Sequence, residues 1–218
     1  LEEGVLMNGN TAEHIREAAG VVSQYADIIA LRSFQSLKDK AHDYTDPVLN
    51  TLIKYASVPV INLESAIRHP LPSLTDCLTI REHQSSARPK VVLSWAPHPK
   101  ALPQAVANSF VEWMKKMPVD LVITNPEGYD LDPSFTDGVK VIHDQKEAFK
   151  DADFVYAKNW SMVSDYGQLA DVAKNWMIDE DKMATTNDAF FMHCLQVRRN
   201  VVLSDAVLNS ANSLVMQQ

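Results

Sequence analysis

Glycine is scarce in this chain, and the few glycines exclude the common nucleotide-binding loops. They stand at positions 4, 9, 20, 128, 138 and 167 of 218 residues. They complete neither the dinucleotide fingerprint G-x-G-x-x-G nor the phosphate-binding loop G-x-x-x-x-G-K-S/T. The nucleophile elbow G-x-S-x-G is also absent. Nucleotide binding through these loops, and hydrolysis by a serine nucleophile on such an elbow, are therefore excluded.

Cysteine is scarcer still, since Cys77 and Cys194 are the only two. Two cysteines are too few for a disulfide framework or a zinc ribbon, which predicts a reduced, cytoplasmic protein. The seven histidines form neither H-E-x-x-H nor H-x-H. We therefore expect no metal and no cofactor.

Positive charge is in deficit, with 20 Lys and Arg against 28 Asp and Glu and a net charge of −8. No basic run offers a nucleic-acid surface. No apolar run approaches the roughly 18–20 residues of a membrane span, and no signal peptide is visible at the start. We expect neither nucleic acid nor membrane as a partner, and a hydrophobic share of 46% is ordinary for a soluble domain.

What the chain does contain is a succession of short apolar runs. They are continuously apolar rather than alternating, which is typical of parallel strands buried on both faces. The seven runs are 27–31, 58–63, 90–96, 120–124, 139–143, 153–157 and 189–195.

Helical patterns separate these runs. One begins at Asn10 with Glu13 three residues later, a capping-box spacing. Another has Pro47 at its first helical position, and a third, from position 102 to 117, carries an apolar stripe. Alternation of strands and helices predicts an α/β fold with doubly wound parallel sheets. We place an interdomain helix at 64–84, between an incomplete first domain at 1–63 and a second at 85–218.

Polar groups follow five of the apolar runs. Because ligands of doubly wound sheets bind beyond the carboxyl ends of the strands, these groups are candidate site residues. They are Arg32, Glu64, His98, Lys158 and the pair Cys194 and Arg198. One carboxylate among several cations, without a cofactor, suits the departure of a phosphate and charge development on a carbonyl group. As a nucleophile, Cys194 would need a base nearby. His193 is its neighbour on a predicted strand, and its side chain would therefore face the opposite side of the sheet. We therefore expect Cys194 to play a supporting role rather than to act in covalent catalysis.

The motifs resemble the aspartate/ornithine carbamoyltransferase superfamily, and most closely its branch acting on N-acetylornithine and N-succinylornithine. They are "RSF", "ESAIRHPLPSLTD", "WAPHPKALPQAVANSF", "NPEGYDLDP", "YAKNW" and "FMHCLQVRRN". The likeness covers essentially the whole chain. It implies transfer of a carbamoyl group from carbamoyl phosphate to the δ-amine of an acylated ornithine, in arginine biosynthesis. The loop "WAPHPKALPQAV" argues against plain ornithine, which stays the within-class alternative.

The resemblance also implies roles for individual residues. Arg32 and His69 would contact carbamoyl phosphate, with His69 and Cys194 as the catalytic pair. Cys194 and Leu195 would line the carbamoyl end. Glu64, His98, Lys158, Leu195 and Arg198 would hold the acylornithine.

The family fold implies two α/β domains, a homotrimer with sites between subunits, and a knotted backbone in the second domain. The family's N-terminal Ser-x-Arg-Thr-Arg loop, its Glu-Ala-Ala-Asn segment and its last helix have no counterpart here. We therefore expect the chain to be a piece of a longer enzyme, with a partial carbamoyl-phosphate domain and with no activity by itself. The choice between acetyl and succinyl stays open.

Two positions depart from the family's motifs. Pro72 stands where the family has Gln in His-Pro-x-Gln, which removes a side-chain amide and a backbone donor. Gln196 stands where the family has Pro in His-Cys-Leu-Pro, after a bond that is typically cis. These departures favour an alternative hypothesis, a catalytically inactive homologue that retains the fold.

Overall fold

The computed structural model describes residues 14–168 and 174–218. The helices of this part are α1 (Ile15–Val22), α2 (Lys40–Asp43), α3 (Pro47–Tyr55), α4 (Pro70–His83), α5 (Ala105–Met114), α6 (Pro133–Thr136), α7 (Gln145–Phe149), α8 (Glu180–Met183) and α9 (Asp205–Leu208). The strands are β1 (Ile29–Arg32), β2 (Val60–Glu64), β3 (Lys90–Trp95), β4 (Asp120–Thr124), β5 (Lys140–Ile142), β6 (Phe154–Lys158) and β7 (Phe190–Met192). Each of the seven predicted apolar runs therefore overlaps one of these strands.

The larger sheet has five parallel strands in the order β5-β4-β3-β6-β7. From β3 the chain builds outward to β5 and then returns to the other side of β3 as β6. The strand order thus reverses between β3 and β6, where Trp95 pairs with Lys158. Such a switch point is where an open α/β sheet leaves a crevice for a ligand.

Both faces of this sheet are covered. One face packs against α4 and α5, with Ile80, Phe110 and Tyr156 in a single apolar cluster. The opposite face packs a second cluster that includes Phe149 and Phe191. The continuously apolar pattern of β3 and β6 is explained by this double burial, because both strands bury almost every residue.

The smaller sheet pairs β1 and β2 in parallel. Its described part packs on α1 and α3 through Ile29, Leu31 and Val60. Ile61 points away from that cluster and is exposed. The prediction of burial on both faces is therefore wrong for these two strands: β1 alternates between half-buried and exposed residues, and β2 is fully buried only at Glu64.

The predicted helix starts have mixed outcomes. Pro47 is the first residue of α3, as predicted. Asn10 and Glu13 lie outside the described residues, and α1 begins at Ile15 after His14, whose Nδ1 accepts a hydrogen bond from the amide of Arg16 at 3.1 Å. The proposed interdomain segment 64–84 contains α4, a helix of 14 residues.

β7 is shorter than predicted. It ends at Met192, so His193, Cys194 and Leu195 follow the strand instead of belonging to it. His193 and Cys194 therefore do not alternate along a strand, and the prediction that their side chains face opposite sides for that reason is wrong. The His193 ring turns back to the carbonyl oxygen of Cys194 through Nδ1.

Side-chain contacts join the loop after β1 to the second sheet. Lys40 forms an ion pair with Asp132 at 3.0 Å, and the Tyr166 hydroxyl donates to Asp43 at 3.0 Å. Gly167 has a positive φ of 77°, and a Cβ there would lie 2.0 Å from the carbonyl oxygen of Leu37. Only glycine allows this approach of the two loops.

Candidate active site

Arg32, Glu64 and His69 form one cluster at the ends of β1 and β2. The Arg32 guanidinium contacts Glu64 Oε2 through Nη2 at 2.6 Å and through Nε at 2.7 Å. The Glu64 side chain is only 7% exposed, whereas that of Arg32 is 56% exposed. Arg32 also stacks over the Phe34 ring at 5.0 Å. The Arg32 guanidinium is held by Glu64 on its buried side, and its exposed side keeps N–H donors for an incoming anion.

His69 occupies the N-cap of α4. Its backbone amide donates to Ser109 Oγ at 2.8 Å, and its Nδ1 contacts the carbonyl oxygen of Leu63. Nδ1 therefore carries the proton in the neutral ring, and Nε2, which lies 3.7 Å from Glu64 Oε2, is an acceptor. Burial lowers the pKa of His69, while the Glu64 carboxylate raises it. Protonation converts Nε2 into a donor for a carbonyl oxygen.

Lys158 and Cys194 form the second cluster, at the switch point of the large sheet. Lys158 ends β6, and its Nζ lies 3.4 Å from Cys194 Sγ. Leu195, the next residue, is 63% exposed, and the peptide bond between Leu195 and Gln196 is cis. An ammonium beside a half-buried thiol gives this corner a positive potential.

His98 and Arg198 meet across the same crevice. Arg198 Nε donates to His98 Nε2 at 3.2 Å. Because Nε2 accepts from Arg198, the neutral ring carries its proton on Nδ1, which lies 2.9 Å from the carbonyl oxygen of Lys100 and 3.1 Å from the Lys100 amide nitrogen. Burial lowers the pKa of His98, and the cations Arg198 and Lys158 lower it further. His98 is thus a neutral ring that orients Arg198.

The two adjacent arginines serve different partners. Arg199 donates from Nη1 to Asp205 at 2.9 Å and to Asn209 at 3.1 Å, which ties it to α9. Arg198 instead faces His98. Only Arg198 belongs to the crevice.

The predicted residues thus form two groups rather than one contiguous set. The link between them is electrostatic, since the Lys158 ammonium lowers the pKa of His69. A cavity of about 680 Å³ lies beside β1 and is lined by Arg32, Phe34 and Asp43, among others. Lys158, Cys194 and Arg198 are not among the residues lining that cavity.

Pro72 lies in the first turn of α4. The first amides of a helix have no partner within the helix, so the backbone donor removed by this proline is not needed by α4. The missing side-chain amide is the real difference from the family's motif. Gln196 is exposed.

The sequence pattern does not reveal two buried residues behind Cys194. Asp76 on α4 and Tyr156 on β6 are both 0% exposed. The available signal was Asp76 on the inward face of α4, beside Ser73, Cys77 and Ile80, where a carboxylate is out of place.

Within residues 14–168 and 174–218, no group of three or more His, Cys, Asp or Glu side chains could hold a metal ion. Across the same residues, no helix is long and apolar enough to cross a membrane.

Family models match both parts of the chain. Residues 2–82 match the carbamoyl-P binding domain of aspartate/ornithine carbamoyltransferase, and residues 103–218 match its Asp/Orn binding domain. The class defined by fold and site is therefore that of the carbamoyltransferases.

Individual relatives define the family further. The chain is 49% identical to N-succinylornithine carbamoyltransferase of Bacteroides thetaiotaomicron, over 100% of the chain and 69% of that protein. It is 38% identical to N-acetylornithine carbamoyltransferase of Xanthomonas axonopodis pv. citri, over 99% of the chain and 68% of that protein. The chain belongs to the aspartate/ornithine carbamoyltransferase family.

Solved structures agree with this assignment. A variant of N-acetyl-L-ornithine transcarbamylase in complex with PALAO superposes with a TM-score of 0.92 at 38% identity, covering 99% of this chain and 71% of that one. A second variant, in complex with carbamyl phosphate and N-succinyl-L-norvaline, gives 0.93 at 37% identity, with the same two coverages. The prediction of a carbamoyltransferase with parallel α/β sheets is confirmed.

Proposed function

We propose that this protein transfers the carbamoyl group of carbamoyl phosphate to the δ-amine of an N-acylated ornithine, in arginine biosynthesis. The observation that carries the proposal is that two groups at the carboxyl ends of strands, Arg32 with Glu64 and His69 and Lys158 with Cys194, are linked through the effect of the Lys158 ammonium on the pKa of His69. The first group suits a phosphate and a carbonyl, and the second suits a carboxylate. The higher identity to the succinylornithine enzyme than to the acetylornithine enzyme favours N-succinylornithine.

The proposed reaction needs an anion receptor and a polarised carbonyl. The Arg32 fork binds the phosphate. The negative charge of the bound anion and of Glu64 opposes the effect of burial on the pKa of His69, so the ring takes up a proton and donates from Nε2 to the carbonyl oxygen as that oxygen gains charge. Cys194 and the Leu195 carbonyl line the carbamoyl end. The δ-nitrogen then attacks the carbonyl carbon, the bond from carbon to the phosphate oxygen breaks, and the leaving phosphate accepts the proton of the amine.

The proposed acylornithine site uses the remaining groups. Glu64 attracts the δ-ammonium before it loses its proton, and its Oε2 is already neutralised by Arg32. Lys158, Arg198 and the neutral ring of His98 receive the α-carboxylate and the acyl end. Leu195, which is exposed at the rim, packs against the acyl chain.

We further propose that residues 1–63 belong to the carbamoyl-phosphate domain, 64–84 to the linking helix and 85–218 to the acylornithine domain. A cytoplasmic homotrimer and a knotted second domain belong to the same proposal, on the strength of the family resemblance.

Titration calorimetry tests both the order in which the two substrates bind and the assignment of Arg198 to the acylornithine site. We expect the full-length protein to bind carbamoyl phosphate first and N-succinylornithine afterwards. Arg198→Leu is expected to weaken the second binding by about 10- to 100-fold and to leave the first unchanged, because a hydrogen bond to a charged group is worth about 1.5–3 kcal/mol. Arg199→Leu is the matched control and keeps both affinities. Equal weakening by the two variants would contradict the assignment of Arg198.

The departures Pro72 and Gln196 favour one other candidate, a binding homologue without turnover. It predicts that Pro72→Gln combined with Gln196→Pro creates activity that the unmodified protein lacks. Robust turnover before these substitutions would exclude it.

A further inference from the structure

A buried polar network lies directly behind the Lys158–Cys194 pair. It joins Asp76 on α4, Tyr156 on β6 and Gln218. Tyr156 and Lys158 are two residues apart on one strand, so both side chains leave the sheet on the same face. The network therefore lies on the interior side of the Lys158–Cys194 pair, which we call the carbamoyl corner.

Asp76 is the centre of this network. Its side chain is wholly buried, and Oδ1 accepts a hydrogen bond from Gln218 Nε2 at 2.6 Å. In the described part of the chain Oδ2 has no hydrogen-bond partner. Burial raises the pKa of Asp76 to about 8, against opposing effects from the Gln218 hydrogen bond and the Lys158 ammonium. The carboxyl group is therefore largely protonated at neutral pH.

Tyr156 and Gln218 connect this carboxyl group to the residues after β7. The Tyr156 hydroxyl is buried without a hydrogen-bond partner among the described residues, and burial together with the nearby Asp76 and Cys194 raises the pKa of Tyr156 well above its usual value. Gln218 Oε1 accepts from the amide of His193 at 2.8 Å, while its Nε2 holds Asp76. Gln218 thus links Asp76 to the backbone next to Cys194, and the charges of Asp76 and Cys194 both act on Tyr156.

One cation, Lys158, acts on Asp76. Lys158 supplies the positive charge, while Tyr156 and Cys194 are neutral when protonated. Cys77, next along α4, has a pKa raised to about 11 by burial and by Asp76. His193 has a pKa lowered to about 4 by burial, so it is uncharged near neutrality. Ionised Asp76 would therefore attract Lys158 and oppose a thiolate at Cys194.

We propose that Asp76 is a positioning residue of the carbamoyl corner, which controls the orientation and reactivity of Cys194 and Lys158 through Tyr156 and Gln218. The role rests on the proposed function, because the Lys158–Cys194 pair is the part of the active site that it serves. When Asp76 is protonated, the Lys158 ammonium points towards the substrate. When Asp76 is ionised, its carboxylate attracts the Lys158 ammonium towards the protein interior.

The test measures the thiol itself, so that it does not depend on turnover. In a Cys77→Ser background Cys194 is the only thiol, and its alkylation rate by iodoacetamide is followed from pH 6.5 to 9. Adding Asp76→Asn, which mimics the protonated carboxyl group, is expected to leave the rate unchanged at pH 6.5. At pH 9 it is expected to raise the rate about threefold or more, since the opposing buried charge is gone. Tyr156→Phe in the same background is expected to reduce this difference.

Outcomes for the two proposals are separable. A rate ratio between the Asp76→Asn variant and its parent that stays constant from pH 6.5 to 9 would overturn the role of Asp76, whether or not the protein turns over. Where turnover is measured, kcat for the parent is expected to fall relative to the variant above pH 8, with KM for carbamoyl phosphate unchanged. Absence of turnover with every acylated ornithine would overturn the proposed function and leave the thiol result standing.

Discussion

Replacing Arg32 by methionine is expected to lower kcat/KM for carbamoyl phosphate by about 10²- to 10³-fold, the usual effect of removing a charged group from a preorganised anion site. The side chain has two tasks, since it binds the phosphate and neutralises Glu64. Glu64 is nearly buried and takes two contacts from Arg32, at 2.6 and 2.7 Å. Loss of Arg32 leaves a buried carboxylate with only His69 nearby among the described residues, at 3.7 Å.

Stability should fall in the same variant. The unpaired Glu64 is expected to cost about 1–3 kcal/mol of the free energy of unfolding, at the low end of buried pairs because Arg32 is half exposed. Steady-state kinetics and urea denaturation at pH 7.5 measure the two effects. Arg81→Met, at an exposed position on α4, is the matched control and changes neither. Arg32→Met with kcat/KM within threefold of the parent would remove Arg32 from the phosphate site.

Asp76→Asn is expected to stabilise the protein while altering its site. The folded-state pKa of Asp76 is raised from 3.8 to about 8. Below pH 3.8 both the folded and the unfolded states are protonated at this residue, so the carboxyl group costs nothing. Between pH 3.8 and 8 only the unfolded chain ionises, and the free energy of unfolding falls as pH rises.

The asparagine variant removes this penalty. Its advantage over the parent should be absent near pH 4 and should grow to about 2–4 kcal/mol near pH 8. Urea denaturation at pH 4, 6 and 8 measures the difference, with Asp181→Asn on the exposed surface as a control that follows the parent. An asparagine variant that is less stable than the parent by the same amount at every pH would show that Asp76 is a structural hydrogen-bond acceptor alone. Stabilisation together with altered chemistry is the behaviour of a residue kept for function.

The strands of the larger sheet could be predicted because a strand that is buried on both faces has a continuous run of apolar residues. β3 and β6 are covered on both faces, and their apolar runs have almost no polar interruption. The incomplete burial of β1 and β2 could not be predicted from runs of similar hydrophobicity. It depends on which face α1 and α3 cover, a tertiary property.

The candidate site was partly predictable for a geometric reason. Parallel strands place their carboxyl ends on one edge, so the polar residues that follow them gather without knowledge of the strand order. The order itself, which puts Lys158 beside Trp95, is set by a reversal that sequence periodicity does not encode.

The residues that were missed lie inside elements rather than after them. Asp76 faces inward from a helix, and Tyr156 stands in an apolar strand where an aromatic residue is expected in any core. Their significance comes from proximity to Cys194, which lies far from both of them in the sequence. Such contacts arise from packing and leave no local pattern.

The most direct measurement mixes the full-length protein with carbamoyl phosphate and one acceptor in separate reactions, the acceptors being N-succinylornithine, N-acetylornithine and ornithine. Phosphate release and the citrulline product are quantified together by colorimetry and mass spectrometry. The proposed function predicts equal amounts of phosphate and N-succinylcitrulline, less N-acetylcitrulline and no citrulline from ornithine. Release of phosphate without any acylated citrulline, or product from ornithine alone, would contradict it.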